Sequence, residues 1–240
     1  MLSWIVYLTD WDNLNNNFQF YLTGEVKLIK RILYNVFMKK QDKLRILAAG
    51  DLHGDVDIAK KLAEKAKREK VDLVVLAGDL HGRIQGEGEM ILPFKKLGQK
   101  VVFVPGNWDT TLEANLLRDI HHIKNIDGYY VTYKGVYIIG IGNPDMRFSL
   151  NNKSMEKLKN NFERIKTKNS RKILISHLHA EGSKAEFSGI RGEKILRKAI
   201  EYFEPDILVQ AHIHEAEGIE EKIKKTKIFN VGRRGKVIEI

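Results

Sequence analysis

Five apolar runs in this 240-residue chain each end on a cluster of potential metal donors, and that recurrence restricts the fold more than any other feature. Residues 44–49, 73–77, 101–104, 173–175 and 207–209 run into Asp51-Leu52-His53-Gly54, Gly78-Asp79, Gly106-Asn107-Trp108-Asp109, His177-Leu178-His179 and His212-Ile213-His214. Unbroken Val/Ile/Leu runs read as strands buried on both faces, hence a sheet covered by helices. In an open α/β sheet, ligands bind in the crevice outside the carboxyl ends of the strands. Five distant stretches of chain are therefore expected to converge on one rim.

Between the strands the pattern turns helical. Residues 55–70 are rich in lysine and glutamate, with Ile58, Leu62, Ala63 and Ala66 spaced along one inner face. Further helices are expected near residues 90–97, 112–123 and 153–172. Residues 131–133 and 136–141, joined by Lys134-Gly135, read as a hairpin that opens a second half, completed by strands at Ile173, Ile207, Lys227 and Val237. The expected architecture is a four-layer α/β/β/α sandwich: two mixed sheets face to face, with helices outside. Gly86-Glu87-Gly88 lacks the strand before and helix after of a nucleotide loop and reads as a connection.

Residues 1–42 do not share this pattern. Residues 10–17 are polar and asparagine-rich, and residues 26–38 could form one amphipathic helix. We read 1–42 as an N-terminal extension and 43–240 as the working domain, with Met38 at a natural starting point. Residues 1–8 are too short to span a bilayer and lack the basic start of a signal peptide. The expected compartment is the cytoplasm, with no membrane partner.

With 43% hydrophobic and 30% charged residues, the chain has the balance of one globular domain. It contains no cysteine, which excludes disulfides and thiolate metal sites, so any cation must be held by nitrogen and oxygen. The formal charge of +10 favours an anionic partner. Most of the lysines, however, lie among glutamates along helical segments, as on ordinary solvated faces. Nucleic-acid binding rests on net charge alone, since aromatic and basic residues are not interleaved as in single-strand binders.

A two-metal site needs hard or borderline donors around cations roughly 3.5 to 4 Å apart, with a carboxylate able to bridge them. Asp51, His53, Asp79, Asn107, His177, His212 and His214 supply such a set. The cations suited to these donors are manganese first, with iron, zinc, nickel or magnesium as alternatives. His179 reads either as a partner of substrate or ligand, or as a solvated loop histidine. His121 and His122 sit at a helix end where a cation is favoured for structural reasons, and Arg147 reads as a solvated loop arginine.

On these motifs, residues 43–240 resemble the calcineurin-like metallophosphoesterases, whose ordered Asp-x-His, Gly-Asp, Gly-Asn, His and His-x-His motifs all have counterparts. The resemblance implies that Asp51, His53 and His214 bind one metal, that Asn107, His177 and His212 bind the other, and that Asp79 bridges. It also implies a bridging hydroxide as nucleophile attacking a phosphodiester or phosphomonoester. Two positions depart from the family pattern. Trp108 stands where the family places a histidine thought to protonate the leaving oxygen, and Ala211 stands where a glycine precedes His-x-His. Asp109 and His81 are the candidates for the missing proton donor.

The short chain leaves little room for a specificity cap, which points to a small or promiscuous substrate and away from a processive nuclease. A non-catalytic scaffold of the same fold is the competing reading opened by Trp108, although seven retained polar ligands are costly to keep together without a metal. A nuclease using the basic surface is a third, and would show steep loss of activity with salt.

Overall fold

The computed structural model describes residues 43–81, 90–147, 149, 150, 152–162 and 170–240. The extension 1–42, its expected helix at 26–38 and the connection at 86–88 lie outside the described residues.

The strands form two mixed sheets. In the five-stranded sheet the order is β11-β1-β2-β3-β4, with β1 Arg45–Ala49, β2 Leu73–Ala77, β3 Val101–Val104, β4 Lys124–Asn125 and β11 Lys236–Glu239. In the six-stranded sheet it is β5-β6-β7-β8-β10-β9, with β5 Tyr130–Tyr133, β6 Val136–Ile141, β7 Lys172–Ser176, β8 Ile207–Gln210, β9 Glu220–Ile223 and β10 Thr226–Asn230. The central strands run parallel, and β11, β5 and β9 pair antiparallel at the margins. Parallel neighbours bring their carboxyl ends to the same side, so the loops after β1, β2 and β3 open together, as do those after β7 and β8.

Side-chain alternation along each strand divides the apolar residues among three layers. Ile46, Ala48, Val75, Ala77, Val102 and Val104 of the first sheet meet Ile138, Ile173, Ile175 and Val209 of the second in a core between the sheets. Leu47, Val74, Leu76 and Phe103 face outward onto helices α1 Val56–Arg68, α2 Leu92–Lys96 and α3 Thr111–His121. Ile139, Leu174 and Leu208 face outward onto α4 Asn152–Phe162 and α5 Lys194–Phe203. The four-layer sandwich is therefore the fold this chain adopts.

Local chemistry sets the helix limits. The Asp55 side chain accepts from the Asp57 and Ile58 amides at the start of α1, and Lys65, Lys67 and Arg68 occupy its last turn, where cations suit the helix dipole. Thr110 and Glu113 form a reciprocal capping box on α3, which ends on His122 in the left-handed conformation at φ 50°. The helix expected over 153–172 corrects to Asn152–Phe162, with 163–169 outside the described residues. Lys172 is the first residue of β7. It is buried, and its ammonium donates to the Phe203 carbonyl at 3.1 Å, so a lysine that looks like part of a solvated helix face is a strand residue with a buried stem. Among the described residues, no helix is long and apolar enough to cross a membrane.

Candidate metal centre

All five donor motifs meet at the rim where the two sheets open. Register explains the convergence. Leu76 pairs with Ala49, which puts the loop after β1 beside that after β2, and the Asp51 amide donates to Gly78 O at 3.0 Å. Val209 pairs with Ile175, and the Ala211 amide donates to His177 O at 3.0 Å, so the two motifs of the second sheet lie side by side. His177 joins the sheets: its Nδ1 is 2.9 Å from the carbonyl oxygen of Ala77 in β2.

The donor atoms fall into two groups, Asp51 with His53 and His214, and Asp79 with His177 and His212, each close enough to share a cation. In the first, Asp51 Oδ1 lies 3.6 Å from His214 Nε2, which is 3.3 Å from His53 Nε2. In the second, His177 Nε2 lies 3.2 Å from Asp79 Oδ2, 3.2 Å from His212 Nδ1 and 3.0 Å from Asn107 Oδ1. With Nδ1 donating to the Ala77 carbonyl, Nε2 is left as the donor atom of His177, the arrangement that fixes tautomer and ring orientation in metal sites. Asp79 Oδ2 also lies 3.9 Å from His53 Nε2, so one carboxylate oxygen stands between the groups.

The electrostatics of the cluster suit a cation. Asp51 is 1% exposed, yet neither of its carboxylate oxygens has a hydrogen-bond partner, a costly state for a buried anion unless positive charge sits beside it. Burial opposes charging His177, but the carboxylates of Asp79 and Asp51 outweigh it and push its pKa up to about 9. Burial, reinforced by the charge on His177, pulls His212 down to about 4. His214 is raised by the Asp51 carboxylate beside it, and His53 is lowered by burial. Metal binding takes neutral imidazole, so the His177 proton must leave as a cation enters. The residues present fit a pair of divalent cations.

Four of these side chains project from left-handed backbone: Asp51 at φ 56°, His53 at 48°, Asp79 at 52° and His212 at 71°. For residues other than glycine this conformation costs roughly 1–2 kcal/mol each, and such strain clusters where function overrides local preference. Backbone hydrogen bonds hold it in place, with the His53 amide donating to Asp79 O at 2.9 Å and the Gly54 amide to Leu80 O at 3.0 Å. Gly106 is required for a different reason. A Cβ there would lie 2.1 Å from Asp79 Oδ1, so the Asp79 carboxylate occupies the space a side chain would fill.

A family description, calcineurin-like phosphoesterase, matches residues 44–216. The chain belongs to that family. It is accordingly a metallophosphoesterase, an enzyme of metal-dependent phosphoester hydrolysis. Among solved structures it is similar to TT1561 of Thermus thermophilus, at 17% identity and a TM-score of 0.64, covering 82% of this chain and 98% of that one. A dimetal phosphatase from Danio rerio is similar at 11% identity and a TM-score of 0.57, with coverages of 80% and 88%. The phosphopantetheinyl hydrolase of Mycobacterium tuberculosis follows at 13% identity and a TM-score of 0.55, with coverages of 79% and 89%. These likenesses concern the fold. No curated protein matches the phosphoesterase.

Of its two departures from the family pattern, Ala211 has a local explanation and Trp108 has none in its contacts. Ala211 is buried, and its methyl is accommodated because Gly50 lies opposite. A Cβ on Gly50 would sit 2.9 Å from that of Ala211, so the glycine the motif lacks on one strand end is supplied by the other. Trp108 keeps a backbone role, its amide donating to Asp79 Oδ1 at 2.9 Å, while its indole meets the His53 ring edge-on at 6.2 Å.

The two candidate proton donors are brought together, away from the cleft lining. Asp109 Oδ1 accepts from the Leu80 and His81 amides at 2.9 Å each and lies 3.0 Å from His81 Nδ1, while Oδ2 accepts from the Gly106 amide at 2.8 Å. Asp109 thus ties the turn after β2 to the turn after β3. His179 is not a solvated loop residue. It is 2% exposed, stacks on His212 at 6.4 Å, and its Nε2 is 3.1 Å from Ile190 O. His121 is the last residue of α3 and is buried, and His122 caps the helix, so both lie at the helix end where the sequence placed them. Arg147 is half-exposed beside Asp145. Sequence reasoning missed Ile190, Ile213 and Glu215, which line the cleft beside the donors. Of these only Ile213 carried a signal, lying between His212 and His214.

Proposed function

We propose that this phosphoesterase hydrolyses a small phosphodiester or phosphomonoester at a pair of divalent cations, manganese by preference, with iron, zinc, nickel or magnesium as substitutes. In this reading Asp51, His53 and His214 hold one cation, Asn107, His177 and His212 hold the other, and Asp79 serves both. The observation that carries it is the position of Asp79 Oδ2, 3.2 Å from His177 Nε2 and 3.9 Å from His53 Nε2, beside an Asp51 carboxylate that is buried without a hydrogen-bond partner. When bound, the cations supply an activated water and neutralise charge on the phosphoryl oxygens.

The protein's own groups do the rest. Asp51 and Asp79 supply the negative charge that retains the cations, and Ala77 O aims His177 Nε2. Asp109, saturated by amide donors, acts as a positioning residue rather than as the proton donor, with His81 as its partner. With Trp108 unable to protonate a leaving oxygen, turnover favours leaving groups that depart without protonation. Residues 1–42 take no part in the chemistry, and the cytoplasm is the compartment we assign.

The test is hydrolysis of p-nitrophenyl phosphate and bis(p-nitrophenyl) phosphate by purified, metal-depleted protein with each cation restored in turn. Activity that returns with manganese and is abolished by His177→Ala supports the proposal. Failure of every cation to restore turnover of both esters favours the scaffold reading. Activity confined to polynucleotides, with a steep loss in salt, favours the nuclease.

A further inference from the structure

The cleft beside the metal centre encloses about 560 Å³ and is lined by His53, Asp79, His212 and His214 together with Trp108, Ile190, Ile213 and Glu215. A volume of this order suits a small molecule rather than a lone phosphate. Its apolar walls present surface to the cleft: Trp108 is half-buried and Ile190 is 50% exposed. Both walls are also anchored. Trp108 is fixed through its amide to Asp79, and Ile190 through its carbonyl to His179, the imidazole stacked on His212. Apolar side chains on backbone anchored in this way, lining a cleft whose other lining residues include the imidazoles and carboxylate of the centre, form an apolar slot beside a polar floor.

Charge restricts what enters it. Glu215 is exposed on the lining, placing negative charge beside the slot. Arg191, next after Ile190, is tied to Glu181 at 3.0 Å, so the cation nearest that wall in sequence is already paired. A second anionic group carried beyond the reacting phosphate would meet Glu215, whereas a flat, uncharged ring would stack on the indole. Ring stacking of this kind lowers a dissociation constant by about tenfold.

We infer that Trp108 and Ile190 are specificity-determining residues selecting phosphate esters whose substituent is a flat, apolar and non-anionic ring, and that Glu215 excludes those with a second negative charge. The inference rests on the phosphoesterase reading proposed above and goes beyond it in naming the substrate class. It sets the basic net charge of the chain aside as a guide to substrate, because the charged side chain on the outer lining, beyond the metal donors, is Glu215.

The test is calorimetric binding of three phosphonates, which share a head group and are not hydrolysed, to full-length protein loaded with manganese. They are methylphosphonate, benzylphosphonate and 4-carboxybenzylphosphonate. Benzylphosphonate is expected to bind about tenfold more tightly than methylphosphonate, and the carboxylated ring more weakly than the plain one. Trp108→Ala and the surface change Ile190→Ser should each bring the benzyl-to-methyl affinity ratio toward one, Trp108→Phe should preserve it, and Glu215→Gln should recover the carboxylated ligand. Equal binding of all three phosphonates, or a preference unchanged in both Trp108→Ala and Ile190→Ser, overturns the slot while leaving the phosphoesterase reading standing. Absence of any phosphonate binding by metal-loaded protein overturns both.

Discussion

Asp109→Asn separates a positioning carboxylate from a catalytic one. The wild-type side chain takes three donors on Oδ1, from the Leu80 amide, the His81 amide and His81 Nδ1, and one on Oδ2, from the Gly106 amide. Asparagine keeps one acceptor oxygen. With that oxygen at the Oδ1 position, its NH2 group faces the Gly106 amide, donor against donor, in a site only 1% exposed. Loss of one hydrogen bond to a charged acceptor costs about 1.5–3 kcal/mol. The three bonds that remain lose their charge assistance, and each is then worth roughly half as much. The sum is about 4–7 kcal/mol against a usual total of roughly 5–15 kcal/mol, so a chain in the upper part of that range still folds but melts lower, by on the order of 10–20 °C for a domain of this size. Thermal and denaturant unfolding of both proteins measures the loss, and rates across a series of aryl esters measure the chemistry. We expect the melting point to fall and the dependence of rate on leaving-group pKa to keep its slope. An unchanged melting point together with a rate loss confined to poor leaving groups would refute the argument and make Asp109 the proton donor.

Three further outcomes follow. Gly106→Ala puts a methyl 2.1 Å from Asp79 Oδ1; ordinary contact is about 3.5 Å and metal–ligand distances tolerate only about 0.2 Å, so the variant should lose tight binding of both cations in calorimetry, and wild-type affinities would contradict the packing described. Trp108→His should accelerate alkyl esters selectively over aryl esters in steady-state kinetics; equal acceleration, or none, would mean that leaving-group protonation is already supplied. Truncation to Met38 should leave metal content and hydrolysis intact, and a truncated protein that aggregates or melts well below the full chain would assign the leader to the fold.

The strands and ligand types of the centre could be read from sequence because parallel strands buried on both faces are written as unbroken Val/Ile/Leu runs, and because metal donors cannot be replaced by other residue types at their ends. Marginal elements left no such mark. β4 spans two residues, and β9 reads Glu-Glu-Lys-Ile, because an edge strand facing water needs neither apolar faces nor length. Lys172 misled for a related reason, since its charge conceals a stem buried in β7. The left-handed backbone of Asp51, His53 and Asp79 is held by hydrogen bonds between loops far apart in sequence, which local propensity cannot report. The same holds for Asp109: its type suggested an acid, and the three amides it accepts from, in the turns after β2 and β3, are the ground for the positioning role we propose. Ile190 could not be foreseen as a wall of the cleft, because the imidazole that fixes its carbonyl, His179, lies eleven residues earlier at the start of the same long connection after β7.

The central claim is that Asp79 serves two cations at once. Elemental analysis and calorimetry of purified protein titrated with manganese test this directly, with Asp79→Asn as the comparison. We predict two manganese ions per wild-type chain, a burst of released protons as they bind near neutral pH because His177 gives up its proton, and weakened binding at both sites in the Asn variant. A wild-type stoichiometry of one or none, or an Asp79→Asn protein that still binds two ions at wild-type affinity, would contradict it.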